Sequence, residues 1–233
     1  MQISLSLRQG FCLGFCFMIF SCCLNAQVLG IKDFKERRAV ADSIIGELKN
    51  GLVVIRLKSY RNNLNAMDKS LSNAKLSKKE RKRLQKSKDA MVRDRDRFNH
   101  ELVTAFHESY DFSDFLVMYD TASHLLLSGV EGGYFLNENL AAAPDIRKAA
   151  DRPFVILGEG TRNKEGIHGL VVYNAEGDVI QAPFPSFFDF RNHKRGLLSL
   201  FRGDAYVRKS GANLVRNITA RFNRFYQDEA GRY

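Results

Sequence analysis

The stretch GEGTRNKEGIH, Gly158 to His168, gathers Glu159, Thr161, Arg162, Lys164, Glu165 and His168. Carboxylates, cations and an imidazole set this close can exchange protons or hold an anion. Short apolar runs flank the stretch, so it reads as a polar loop between two strands, and Glu159, Arg162, Glu165 and His168 are the residues a hydrolase-type or transferase-type enzyme would use. Other catalytic patterns fail. His100-Glu101 is followed by the next histidine at position 107, where a helix-borne zinc pair of the H-E-x-x-H kind needs it four residues on. No G-x-S-x-G elbow occurs. Gly158-Glu159-Gly160 begins like a dinucleotide loop, but Asn163 stands where the third glycine belongs. No cofactor and no metal are expected, and the balance leans toward binding or assembly rather than catalysis.

A second group is cationic. The formal net charge is +10, and between Lys75 and Arg97 eleven Lys or Arg face four Asp or Glu. Lys78, Lys79, Arg81, Lys82, Arg83, Lys86 and Lys88 form its centre. From residue 98 to 146 there is no Lys or Arg, while eight acids occur. Three roles compete for the basic cluster: a solvated helix tip with no partner, attraction of an anionic lipid or another envelope polyanion, and self-association of the basic arm with the acidic block 98–146. No aromatic residue is interleaved with these charges, which argues against nucleic acid. A smaller cluster, FFDFRNHKRG, sets Arg191, His193, Lys194 and Arg195 beside Phe187, Phe188 and Phe190. It suits an anionic ligand or membrane surface; the simpler expectation is that the phenylalanines finish the core and the cations face water.

The four cysteines all fall in FCLGFCFMIFSCCLNAQ, Phe11 to Gln27. Arg8 precedes an uncharged apolar run that ends at the small residue Ala26, the layout of a signal peptide. Residues 1–26 are therefore expected to be cleaved between Ala26 and Gln27, leaving a thiol-free exported protein in the periplasm or outer envelope. Lipid attachment at Cys22 or Cys23 fits less well, because bulky Phe20 stands where lipoprotein signals carry small residues. Residues 27–233 then form one domain large enough for a core without disulfides.

The elements that would position these groups follow from periodicity. Phe34, Ala41, Ile44, Ile45 and Leu48 share a helical face, and Asp33 with Glu36 has capping-box spacing. LVVIRLK from Leu52 reads as a buried strand. Ser77-Lys-Lys-Glu80 is a second capping box, after which Leu84, Met91, Phe98 and Ala105 recur every seven residues. Residues 62–110 are thus expected to form a projecting helical hairpin, its base joining the core near Leu102 and Phe106. FLVMYD, HLLLSGV, GYFLN, FVILGEG and GLVVYN read as short strands, and Ala175-Glu176-Gly177-Asp178 as a hairpin turn. Leu214, Ile218, Phe222, Phe225 and Tyr226 predict a closing helix. The expected fold class is α/β, a mixed β-sheet covered by helices.

The order of VVIRLKSYRNNLNAM, FNHELVTAFHESYDFSDFLVMY, GYFLN, PFVILGEG and GLVVYNAEGDVIQAPFP resembles a family of uncharacterised secreted proteins from Bacteroidetes. The resemblance spans most of the chain after the leader. It implies an exported location and this architecture, and it carries over no functional residue, since that family has no assigned activity.

Overall fold

The computed structural model of the chain describes residues 33–162, 166–190 and 204–231. The expected leader, with Cys22, Cys23, Ala26 and Gln27, lies outside the described residues, as do Glu165, Arg191, His193, Lys194, Arg195 and the side chain of Arg162.

Helix α1 covers residues 33–49, and Asp33, already helical, pairs with Arg37 one turn on at 3.0 Å. A turn at Asn50-Gly51 feeds β1 (Leu52–Leu57). This strand is the centre of a six-stranded sheet of order β3-β2-β1-β4-β5-β6. It runs parallel to both neighbours, β2 (Asp114–Tyr119) and β4 (Phe154–Arg162), while β3 (Phe135–Leu136), β5 (Ile167–Tyr173) and β6 (Phe187–Asp189) each pair antiparallel with the strand beside them. The fold is mixed α/β, as its patterning implies.

Burial on both faces explains the unbroken apolar run of β1. Val53, Ile55 and Leu57 point into the main core, where they meet α1, the end of α3 (Lys78–Ser109) and α5 (Asp204–Ala230). Leu52 and Val54 point the other way, into a smaller cluster with Met118, Leu126, Phe135 and Ile156. Helices α3 and α5 approach closely because Gly211 lies against Ala105, where an added Cβ would stand 3.4 Å from the Ala105 Cβ.

Between β1 and β2 the chain makes the expected hairpin, α2 (Arg61–Leu71) and α3. The Ser77 hydroxyl accepts the Glu80 N–H while the Glu80 carboxylate accepts the Ser77 N–H, a complete capping box. A helix of 32 residues is about 48 Å long, whereas a six-residue strand spans about 20 Å. Only its last third is buried, at Asn99, Leu102, Val103, Ala105 and Phe106. The rest overshoots the sheet, and α2, with no buried residue, packs beside it there.

Two expectations need correction. HLLLSGV is helical: a 3-10 turn (Asp120–Ala122) leads into α4 (Ser123–Leu127). Ala122 and Leu126, one helical turn apart, are buried in the smaller cluster whereas Leu127 is 45% exposed, so only one edge faces apolar partners. The stretch Gly158 to His168 is not one loop. Strand β4 continues to Arg162 and β5 starts at Ile167, paired residue by residue. The glycines that suggested a loop sit inside the ladder because large side chains occupy the space beside them. An added Cβ would come within 2.9 Å of Arg56 at Gly158 and 2.7 Å of the Tyr173 hydroxyl at Gly160. Arg56 itself stacks 4.6 Å over the Tyr173 ring.

The turn after β5 is as expected. Gly177 takes φ 90°, and Asn174 and Ile180 donate backbone hydrogen bonds across it to Asp178 and Val172. Pro183 and Pro185 interrupt the ladder before β6 rejoins β5. Phe188 and Phe190 are buried and Phe187 half-buried, so these rings do complete the core.

Candidate functional site

In an open sheet with parallel strands, a crevice forms where neighbouring strands send their chains in opposite directions. Here β1 leaves toward β2 and β4 leaves toward β5, so the crevice lies at the carboxyl ends of β1 and β4. Lys58, the first residue past β1, and Glu159, near the end of β4, meet there, with Nζ 3.7 Å from Oε2.

The turn that carries Lys58 is held by side chains from two other elements. Asp120, just past β2, accepts the Ser59 N–H at 3.0 Å. From α3, Arg95 donates to the Ser59 carbonyl at 3.0 Å and Asn99 to the Lys58 carbonyl at 3.1 Å. Asn99 is 1% exposed, and among the described residues its Oδ1 has no partner. Tyr60 ends the turn in the left-handed region at φ 52°, rare for a residue with a side chain and commonest where surroundings enforce it.

The electrostatics follow from this crowding. Burial lifts the Glu159 carboxyl above the usual carboxylate range, against the pull of Lys58 and His168. Burial also raises the Tyr60 hydroxyl, with the charges of Glu159 and Asp120 adding to it. His168 sits in β5 opposite Thr161, two positions from the residue opposite Glu159. That register puts His168 and Glu159 on the same face, the imidazole exposed and the carboxylate with only 18% of its side chain exposed. A carboxyl that keeps its proton to higher pH, beside an ammonium and an imidazole, can exchange protons with a bound molecule.

Two of the four residues singled out in Gly158 to His168 are thereby brought together; Arg162 ends β4, and Glu165 is outside the described residues. Lys58, Tyr60, Asn99 and Asp120 were not legible as site residues. They are scattered through the chain, and the one signal is position: Lys58 and Asp120 follow immediately on β1 and β2, and Tyr60 lies two residues past Lys58.

A carboxyl with a raised folded-state pKa binds its proton more tightly when folded, so its ionisation costs stability above that pKa, and the cost is absent below the unfolded value. Glu159→Gln is therefore expected to stabilise the fold at about pH 7 and to lose that advantage near about pH 4. Urea unfolding at both values measures it; the same stability change at both would mean the carboxyl is not held by burial.

The same edge carries the arm. Lys78, Lys79, Arg81, Lys82, Arg83 and Lys86 are exposed on the projecting part of α3. Lys88 is not a free cation: the antiparallel hairpin sets Asp68 of α2 opposite it, and the two form an ion pair. Arg81 also turns toward α2, donating to the Asn73 carbonyl at 3.4 Å. At about 100° per residue the remaining five, Lys78, Lys79, Lys82, Arg83 and Lys86, fall within an arc of about 140° and a length of about 12 Å. Counted along the sequence the cations surround the tip; the hairpin sorts them into an engaged side and one free face. Among the described residues none of these five has an acidic partner.

His100 and His107 do not converge on a metal. His100 meets Thr104 at 3.2 Å, His107 packs edge-on against Phe115 at 4.9 Å, and among the described residues no three His, Asp or Glu gather as metal ligands would. No described helix is long and apolar enough to cross a membrane. No family model, no curated protein and no solved structure matches the chain.

Proposed function

We propose that the chain is an exported, envelope-associated binding protein that docks the free face of its basic arm on anionic lipid. The observation that supports this is the one-sided face of five unpaired cations at the end of a helix held rigidly in the core. A flat arc of like charge suits a planar polyanion better than a small ligand, which needs donors converging from several sides. Near an anionic leaflet each such cation contributes about 1 kcal/mol, so the five together suffice for reversible attachment. The leader pattern of residues 1–26 favours an envelope surface as the available anion.

Self-association on the acidic block has less support. Asp114 and Asp120 lie at opposite ends of β2 and are engaged, with Arg152 and with the Ser59 N–H respectively. The block is continuous in sequence and divided in space.

Reversing Lys79, Lys82 and Lys86 to Glu should abolish co-sedimentation with phosphatidylglycerol-containing vesicles and leave the fold intact, because exposed charges contribute little to stability. Binding by the unaltered protein should also fall steeply with salt, the screening length dropping from about 10 Å at 0.1 M to about 3 Å at 1 M. Vesicle binding that survives the reversal would sink the proposal, and loss of an oligomer on gel filtration would replace it with assembly.

A second role, acid–base chemistry in the crevice, is favoured by the meeting of Glu159, Lys58 and His168. It rests on the raised carboxyl at a strand switch point, and the Glu159→Gln measurement above tests its premise.

A further inference from the structure

At the opposite edge of the parallel strands, where β1 and β2 begin, lies a cleft of about 520 Å³, a size that suits a small molecule. His107, Tyr110, Asp114, Arg147, Lys148 and Arg152 are among the residues that line it. Its charge is one-sided, with Asp114 already bound to Arg152.

Lys148 is the unusual member. It is only 5% exposed, and its ammonium donates to the consecutive carbonyls of Ala149 at 2.8 Å and Ala150 at 3.2 Å. The same nitrogen stands 5.1 Å from the centre of the Phe154 ring. Carbonyl dipoles and a ring face orient an ammonium without neutralising it. Among the described residues no carboxylate lies within ion-pair distance of Lys148. An ammonium has three N–H donors, and two are used. Buried charges are ordinarily paired, because leaving water is costly for an ion without a counter-charge. Arg147, exposed on the rim beside it, likewise has no acidic partner among the described residues. Two cationic residues without an acidic partner among the described residues, one of them buried, thus line one cavity.

We propose that this cleft is an anion site for a small molecule bearing a carboxylate or phosphate group, with Lys148 as the buried contact and Arg147 as the rim contact. The bound oxyanion supplies the counter-charge that the fold withholds from Lys148 and accepts its third N–H. Tyr110 and Ser113 are hydrogen-bonded to each other at 2.9 Å and stand at the same cleft, where they help fix its shape. The site lies at the other end of the sheet from the arm and does not depend on lipid docking.

Isothermal titration with inorganic phosphate and, separately, with succinate tests it. Saturable binding of at least one is expected, weakened about tenfold or more by Lys148→Met and by Arg147→Gln. The triple reversal of Lys79, Lys82 and Lys86 should leave it unchanged. Whichever anion binds names the group, phosphate or carboxylate. Should Lys148→Met fail to fold, Arg147→Gln decides alone, because its side chain is exposed. Failure of the unaltered protein to bind either anion, binding that survives both cleft substitutions, or binding lost with the arm reversal overturns the proposal.

Discussion

Replacing Phe106 by alanine should destabilise the protein by about 3–5 kcal/mol, while the same change at Leu84, on the same helix, should cost under about 1 kcal/mol. Phe106 has no exposed surface and packs against the Tyr110 and Phe115 rings with centroids 5.1 and 5.5 Å away. Its removal leaves a cavity that a sheet and two helices cannot all collapse to fill. Leu84 is half-buried, on the projecting part of the hairpin. For a domain of this size about 1 kcal/mol moves the melting temperature by about 2–4 °C, so Phe106→Ala should lower it by about 6–20 °C. Equal losses at the two positions would show that the arm does not project.

The second large effect is expected at Gly169, whose replacement by alanine should cost about 3 kcal/mol or more. An added Cβ there would stand 2.4 Å from the Phe188 carbonyl oxygen and 2.8 Å from the Phe187 ring. A flexible side chain could yield; this backbone oxygen cannot easily do so. Strand β6 is held on either side of it by hydrogen bonds from Phe190 N–H to the His168 carbonyl and from Val172 N–H to the Ser186 carbonyl. Relief must therefore come from β6 lifting off β5, which withdraws Phe188 from Phe222. Denaturant midpoints measure the loss, and amide exchange should rise first in β6. Gly129→Ala provides the contrast: no atom lies within 4 Å of its added Cβ, so only the positive φ of 82° opposes it, at about 1–2 kcal/mol. A Gly169→Ala variant no less stable than Gly129→Ala would show that β6 is loosely attached.

These two residues also mark what the sequence can and cannot express. Phe106 belongs to a periodic apolar pattern, and patterns of that kind placed α1, β1, α3, β5 and α5. The capping box at Ser77 and the turn at Gly177 are equally local, since each is satisfied by residues within a few positions. Gly169 belongs to the other class. A glycine in a ladder and a glycine in a loop look alike until the bulk of Phe187, Tyr173 and Arg56 is known to lie beside them, and those residues are remote in the chain. HLLLSGV misleads for a related reason: three consecutive leucines satisfy either period, and α4 is selected by having a single small cluster to cover. The crevice at the ends of β1 and β4 was half legible. Glu159 and His168 stand out as polar residues between apolar runs, whereas Lys58, Asn99 and Asp120 acquire meaning only from strand order. The free face of the arm is likewise a product of pairing, since Asp68 must be set opposite Lys88 before any cation can be counted as engaged.

The unbroken course of α3 has a mechanical consequence. Arg95 and Asn99 tie this helix to the carbonyls of the turn after β1, and that tie marks where the rod leaves the core. On one side about 26 Å of helix runs out to Lys78; on the other about 12 Å runs inward to His107, which lines the cleft at the far edge of the sheet. The turns beyond the tie are buried at Leu102, Val103, Ala105 and Phe106, so the inner end is clamped while the outer end stands clear of the sheet. The arm is thus a cantilever: a load on the tip is borne by the core, and the cleft at the far edge is left undisturbed.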